Sequence, residues 1–182
     1  MDLENKDFIL SIVGQIQQAN EKAHKLADLA IHGNQSLKQS GPHSLNDFIR
    51  QYIDAGFAIE GLKYELVQDN RAFDCKFDSS SIGIIIDNIA SNSVKAGATI
   101  LQISLEESGK YVEIAFSDNG IGLAENINPQ SLFEWGFSSN RKKKGYGIGL
   151  YHIKQLVEEM NGTVEIDTTY HHGFKLIVRL KK

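Results

Sequence analysis

Residues 84–97 read Ile84-Ile85-Ile86-Asp87-Asn88-Ile89-Ala90-Ser91-Asn92-Ser93-Val94-Lys95-Ala96-Gly97. Apolar residues at Ile85, Ile86, Ile89, Ala90 and Val94 recur with the spacing of an amphipathic helix. Residues four apart on a helix are neighbours, so Asn88 and Asn92 share a face and Lys95 projects close to it. An amide oxygen is a hard, neutral donor of the kind a largely hydrated Mg²⁺ accepts. One asparagine taken alone reads as a solvated surface residue, so the stretches that follow the helix carry the decision.

Downstream, Val112, Ile114 and Phe116 alternate as in a strand, which runs into Ser117-Asp118-Asn119-Gly120-Ile121-Gly122. This places a carboxylate at a strand end. A carboxylate only accepts hydrogen bonds, which suits an exocyclic amine such as that of adenine. Gly120 and Gly122 would let backbone approach a ligand closely, although Asp-Asn-Gly by itself is an ordinary turn signal. Further on, Gly145-Tyr146-Gly147-Ile148-Gly149-Leu150 leads into the apolar series Leu150, Ile153, Leu156, Val157 and Met160. Glycines feeding a helix start offer bare N–H groups and a positive dipole end to phosphate. The glycine spacing is not that of the dinucleotide-binding fingerprint.

In this order and spacing the three stretches resemble the ATPase family shared by DNA gyrase, heat-shock chaperones, histidine kinases and mismatch-repair proteins. Phe133-Glu134-Trp135-Gly136-Phe137-Ser138-Ser139 resembles the F box of the histidine-kinase branch. The resemblance spans residues 45–180. It implies an α+β fold of two layers, a mixed but mostly antiparallel sheet with helices on one face. It also implies a Mg²⁺-ATP site, with Asn92 coordinating the metal, Lys95 near the phosphates and Asp118 on the adenine amino group. Gly120 and Gly122 would line the base pocket, and Gly145, Gly147 and Gly149 would close over the phosphates. Ala96, Leu123, Phe133, Ser139, Arg141, Lys142, Tyr146, Ile148 and Leu150 complete the implied nucleotide-binding set. Residues 124–144 would form a mobile lid, with Phe133, Trp135 and Phe137 anchoring it to the core.

Position 88 selects the branch. Gyrase-like and mismatch-repair members carry a water-activating Glu there, whereas an asparagine cannot act as a general base. Asn88, with Asn92, is therefore assigned a catalytic role of the histidine-kinase kind, in which ATP is held for transfer to a protein histidine. Ser93 departs from that branch, where Ala is usual, and Lys95-Ala96-Gly97-Ala98 resembles mismatch-repair members. Asp87 lies one residue off the base position, turned about 100° away on a helix. Two alternatives follow: an ATP-hydrolysing conformational switch of the gyrase or mismatch-repair type, and a non-catalytic nucleotide-binding dimerisation module.

The chain has 182 residues, 23% charged and 41% hydrophobic, ordinary values for one globular core with an appendage. A net charge of −4 argues against a general nucleic-acid binder. The exception is Arg141-Lys142-Lys143-Lys144, which in a lid would face triphosphate. Cys75 is the single cysteine, which fits a reducing, cytoplasmic setting. No signal peptide or membrane-length apolar run is present, so no membrane insertion by this chain is expected. His43, His152, His171 and His172 show no metal-ligand spacing.

Ile9, Ile12, Ile16, Ala19, Ala23, Leu26 and Ala30 alternate steps of three and four, a heptad seam predicting a helix over 5–32 that packs on another helix. Residues 1–33 then form a dimerisation-like segment, 34–44 a linker, and 45–182 the ATP-binding domain. The resemblance equates this helix with the second helix of a dimerisation hairpin and implies a homodimer. The phosphoacceptor histidine is expected on sequence further upstream or on a partner, and a response regulator is the implied acceptor protein. His24 and His32 are read as exposed, not phosphorylated. Ser44 is the expected cap of a helix whose inner face is Phe48, Ile49, Tyr52 and Ile53. Short strands are expected at 63–67 and 72–77, a hairpin turned by residues 106–110, and strands at 163–167 and 174–180.

Overall fold

The computed structural model of the chain describes residues 44–57, 59, 61–67, 72–124, 127–137 and 147–182. The heptad helix, the linker to residue 43, and Ser139, Arg141, Lys142, Gly145 and Tyr146 lie outside the described residues. Helix α1 spans Leu45–Tyr52. As its sequence predicts, Ser44 caps it: the hydroxyl oxygen accepts the Asp47 N–H at 3.4 Å and the hydroxyl donates to the Asp47 carboxylate at 2.6 Å. Leu45, Phe48, Ile49 and Tyr52 are buried, and a wider π-helical turn, Ile53–Phe57, follows.

Strand β1, Lys63–Val67, leads to the long helix α2, Ser79–Lys95, and then to β2, Ile100–Ser108. β1 and β2 pair in parallel, Tyr64 opposite Leu101 and Leu66 opposite Ile103. A parallel pair needs a crossover, and α2 is that crossover. It begins a turn earlier than the apolar run suggests, because the Asp78 carboxylate accepts the Ser81 N–H at 2.6 Å and caps it there. Ile85, Ile86, Ile89 and Ala90 are buried as expected, but Val94 is 40% exposed, because the buried side of that turn carries Ser93 instead.

The expected strand at 72–77 does not form. Its backbone bonds go to α1: Leu45 N–H donates to Phe73 C=O at 3.1 Å, and Phe73 N–H donates to Asn46 Oδ1 at 3.3 Å. The alternation of Phe73, Cys75 and Phe77 reflects this docking, with Phe73 buried beneath α1.

Strand β3, Tyr111–Asp118, is antiparallel to β2, and the turn between them is tighter than expected. Glu106 and Glu107 stay paired with Glu113 and Val112, leaving Gly109, at φ +59°, and Lys110 to reverse the chain. Helix α3, Gly149–Glu159, ends where Asn161 adopts φ +56°. Strands β4, Thr163–Ile166, and β5, Lys175–Lys181, complete a five-stranded sheet of order β1-β2-β3-β5-β4. Leu101, Ile103, Val112, Ile114, Phe116, Leu176, Val178 and Leu180 turn inward to meet the helices. Each contributes about 1.5–3 kcal/mol by burial. On the other face Arg179 bridges Glu113 and Glu165 across three strands. The result is the expected α+β sandwich. No helix among the described residues is long and apolar enough to cross a membrane.

Candidate nucleotide site

The site assembles on α2. At its carboxyl end, Asp118 is only 4% exposed at the end of β3. Its Oδ2 accepts the Ser93 hydroxyl at 2.7 Å, while Oδ1 accepts Gly120 N–H at 2.9 Å and Phe174 N–H at 3.1 Å. A carboxylate has about four acceptor positions, so the position left open lies on Oδ2. The Asp118 backbone is held as firmly, its N–H donating to Phe174 C=O at 2.9 Å and its C=O accepting the Tyr170 hydroxyl at 3.4 Å.

The turn after Asp118 is sewn to the end of α2. Asn119 Oδ1 accepts Thr99 and Ile100 N–H at 2.8 and 3.0 Å, and Ile121 N–H donates to Ala96 C=O at 3.1 Å. Glycine is required here by crowding. A Cβ on Gly120 would lie 2.9 Å from Ala96 Cβ, and one on Gly122, at φ +69°, 2.8 Å from Gly173 C=O. At both positions the close approach foreseen for a ligand is made by protein. Leu123 is half-buried just beyond, and Lys95 is exposed on the last turn of α2.

One to two turns back along α2, Asn88 and Asn92 do share a face. The Asn88 amide nitrogen donates to Ile84 C=O at 2.9 Å, which leaves its oxygen directed away from its own helix. That oxygen meets the start of α3: a Cβ on Gly149 would sit 3.3 Å from Asn88 Oδ1 and 3.4 Å from Asn92 Nδ2. The cap position of α3 is Ile148, and among the described residues no side chain caps the helix, so its first N–H groups point out beside the two asparagines. Leu150, in the first turn, is half-buried. No cluster of His, Cys, Asp or Glu among the described residues has metal-site spacing, so the asparagine oxygens are the metal-compatible donors at this place.

Between the two ends lies the connection read as a lid. It is not structureless, since Pro129–Phe133 form a short 3₁₀ helix capped by Asn128. Phe133 is buried, as an anchor should be, but Trp135 is 65% exposed and rests edge-on against Tyr151 at 5.2 Å. Its anchoring role is thus taken by Phe133 and the neighbouring buried Leu132. Gly147, at φ +66°, has no room for a Cβ against the Phe137 carbonyl, so the chain leaves at Phe137 and returns at Gly147 in contact.

Helix, acidic strand end and glycine-led helix start thus meet in one place. The family model for histidine kinase-, DNA gyrase B-, and HSP90-like ATPases matches residues 77–182. The chain belongs to that family. A probable C4-dicarboxylate sensor kinase of Bacillus subtilis (strain 168) is 30% identical over 196 residues, covering 98% of this chain and 36% of that protein. The sensor-type histidine kinase PrrB of Mycobacterium tuberculosis (strain ATCC 25618 / H37Rv) is 34% identical over 102 residues, covering 56% of this chain and 23% of that protein. The solved ATP binding domain of PrrB superposes with a TM-score of 0.59 at 28% identity, over 76% of this chain and 93% of that domain. The catalytic domain of histidine kinase ThkA gives 0.63 at 19% identity, over 76% and 93%, a likeness of fold. The matched region of this family member is thus an ATP-binding catalytic domain of the histidine-kinase type, and the chain spans about a third or less of these relatives' length.

Two site residues escaped the sequence reading. In the sequence Ser93 stands out only as a departure from Ala, and Gly173 does not stand out at all. A Cβ on Gly173 would overlap the Asp118 carbonyl oxygen and approach Oδ1 to 2.9 Å. The only sequence signal for it was a glycine just before the last strand.

Asp87 has a different place. Turned off the Asn88/Asn92 face, it is 7% exposed and accepts the Tyr52 hydroxyl at 2.8 Å. Burial, with the Asp87 charge second, pushes the Tyr52 hydroxyl well above its ordinary value, so Tyr52 stays a donor.

Proposed function

We propose that this chain binds Mg²⁺-ATP between Asp118 and the start of α3 and presents it for phosphoryl transfer to a histidine on a dimerisation hairpin. The observation that carries this reading is the contact of Gly149 with Asn88 and Asn92 on the same helix whose Ser93 holds Asp118. Asp118 Oδ2 receives the adenine amine. The open N–H groups at the start of α3 receive phosphate oxygens, favoured by the helix dipole. Asn92, assisted by Asn88, offers neutral oxygens that fit Mg²⁺, which when bound would neutralise phosphate charge. Lys95 and the basic run of residues 141–144 add positive charge at that end. Gly145, Tyr146 and Ser139 belong to the segment that closes over the nucleotide.

The chain's own groups supply positioning and charge compensation, with no proton acceptor at position 88. Asp87 is committed to Tyr52 in the core, which favours transfer over hydrolysis. By this account the molecule dimerises through residues 5–32 in a reducing, cytoplasmic setting, and a response regulator receives the phosphoryl group. The test is calorimetry with Mg²⁺-ATP on the full chain and on Asp118→Ala, followed by phosphotransfer to a supplied histidine hairpin. Affinity should fall about a hundredfold in the variant. Equal affinity in the two proteins sinks the assignment.

A further inference from the structure

We propose that Ser93 is a positioning residue for base recognition, fixing which acceptor position of Asp118 receives the exocyclic amine of the purine; this rests on the reading of Asp118 above. Three donors hold the carboxylate, and two of them, Gly120 N–H and Phe174 N–H, are backbone groups on the same oxygen, Oδ1. Those two pin one oxygen and leave the carboxylate free to tilt about it. The Ser93 hydroxyl, 1% exposed and 2.7 Å from Oδ2, is the side-chain donor that fixes the second oxygen. With it in place, Oδ2 keeps a single open acceptor position in a fixed direction.

Ser93 also follows Asn92 directly on α2, so the helix that offers oxygens to the phosphate end sets the carboxylate at the base end. Geometry of this kind discriminates by hydrogen bonding: a site built to accept from an amine rejects an analogue lacking it, because the buried acceptor is then left unpaired. Removing Ser93 loosens that acceptor without deleting it. Discrimination should fall, while binding of the rest of the nucleotide is unchanged.

The experiment compares ATP with purine riboside triphosphate, which carries hydrogen in place of the 6-amine, by calorimetry in Mg²⁺ on the full chain. Wild type should prefer ATP. Ser93→Ala should weaken ATP roughly threefold to tenfold and leave the analogue unchanged. Ser93→Cys keeps the side chain's shape with a weak donor, and should move the ATP-to-analogue ratio the same way; it serves if the alanine variant folds poorly. An equal loss for both nucleotides, or an unaltered ratio, overturns the assignment of Ser93. Asp118→Ala separates the two claims. If it leaves the ratio at the wild-type value, the base reading itself fails; if it collapses the ratio while both Ser93 variants retain it, only the Ser93 inference fails.

Discussion

The two ends of the site are built on opposite plans. At the end proposed to take the base, the protein supplies Asp118 with most of its partners: Ser93, Gly120 and Phe174 occupy its oxygens, while Gly122 and Gly173 pack too closely to admit a methyl group. At the end proposed to take the phosphates, Asn88 Oδ1 and the first N–H groups of α3 stand open, and no side chain among the described residues caps that helix. The first region is pre-organised, with its ordering cost already met on folding; the second is arranged but incomplete, and its partners would arrive with the nucleotide. A rigid end that recognises and an open end that engages charge would suit the proposed function, in which a triphosphate is held and one phosphoryl group released.

Substitutions at the two ends should therefore fail differently. The largest effect belongs to Gly173→Ala, where the new methyl group meets the Asp118 carbonyl in a backbone that β-carbons rarely tolerate. A stability loss of about 3 kcal/mol, with nucleotide binding lost as well, is expected in urea unfolding and calorimetry. Wild-type stability there would mean that the base end is not rigid. Asn92→Ala should cost about 1.5–2 kcal/mol of Mg²⁺-ATP affinity, little of it without Mg²⁺, and leave the melting temperature nearly unmoved. A large drop in melting temperature would turn the phosphate end into a structural element too.

Tyr52→Phe sharpens the comparison from outside the site. It should destabilise the fold by about 1 kcal/mol through the lost bond to Asp87, with nucleotide affinity unaltered. Reduced affinity would bring Asp87 back into the chemistry. The smallest effect is at Asp167. Its carboxyl is held down at about 2, first by the Thr169 hydroxyl and then by Lys175, against an ordinary value of 3.8. A depressed carboxylate contributes stability that is complete above the unfolded value and lost as pH falls from about 4 towards 2. The Asp167 side chain is 19% exposed and lies at the surface beside Lys175, so solvent screening keeps the term to about 1 kcal/mol. Melting temperatures measured from pH 6 to pH 2 should fall further in wild type than in Asp167→Asn.

What could be read from the sequence follows the distance over which each signal acts. The Asn88–Asn92 face, the Ser44 cap and the position of Asp118 at a strand end are set by residues within a few positions of one another, and periodicity displays them. Ser93 and Gly173 matter because Asp118 lies against them although it is distant in sequence, 25 positions from Ser93 and one position less than the 56 that separate it from Phe174. Nothing local distinguishes either from a surface serine or a loop glycine. The missing strand at 72–77 is the same lesson reversed. Its alternation was real, but the backbone partners that would make it a strand are replaced by the start of α1.

The central claim is that α2, the end of β3 and the start of α3 form one nucleotide site, and a crystal structure of the chain with Mg²⁺ and a non-hydrolysable ATP analogue tests it most directly. The account predicts the adenine 6-amine in hydrogen-bonding range of Asp118 Oδ2, phosphate oxygens on the first N–H groups of α3, and the metal on Asn92. A base bound away from Asp118, or phosphates that touch neither Asn92 nor α3, would contradict it.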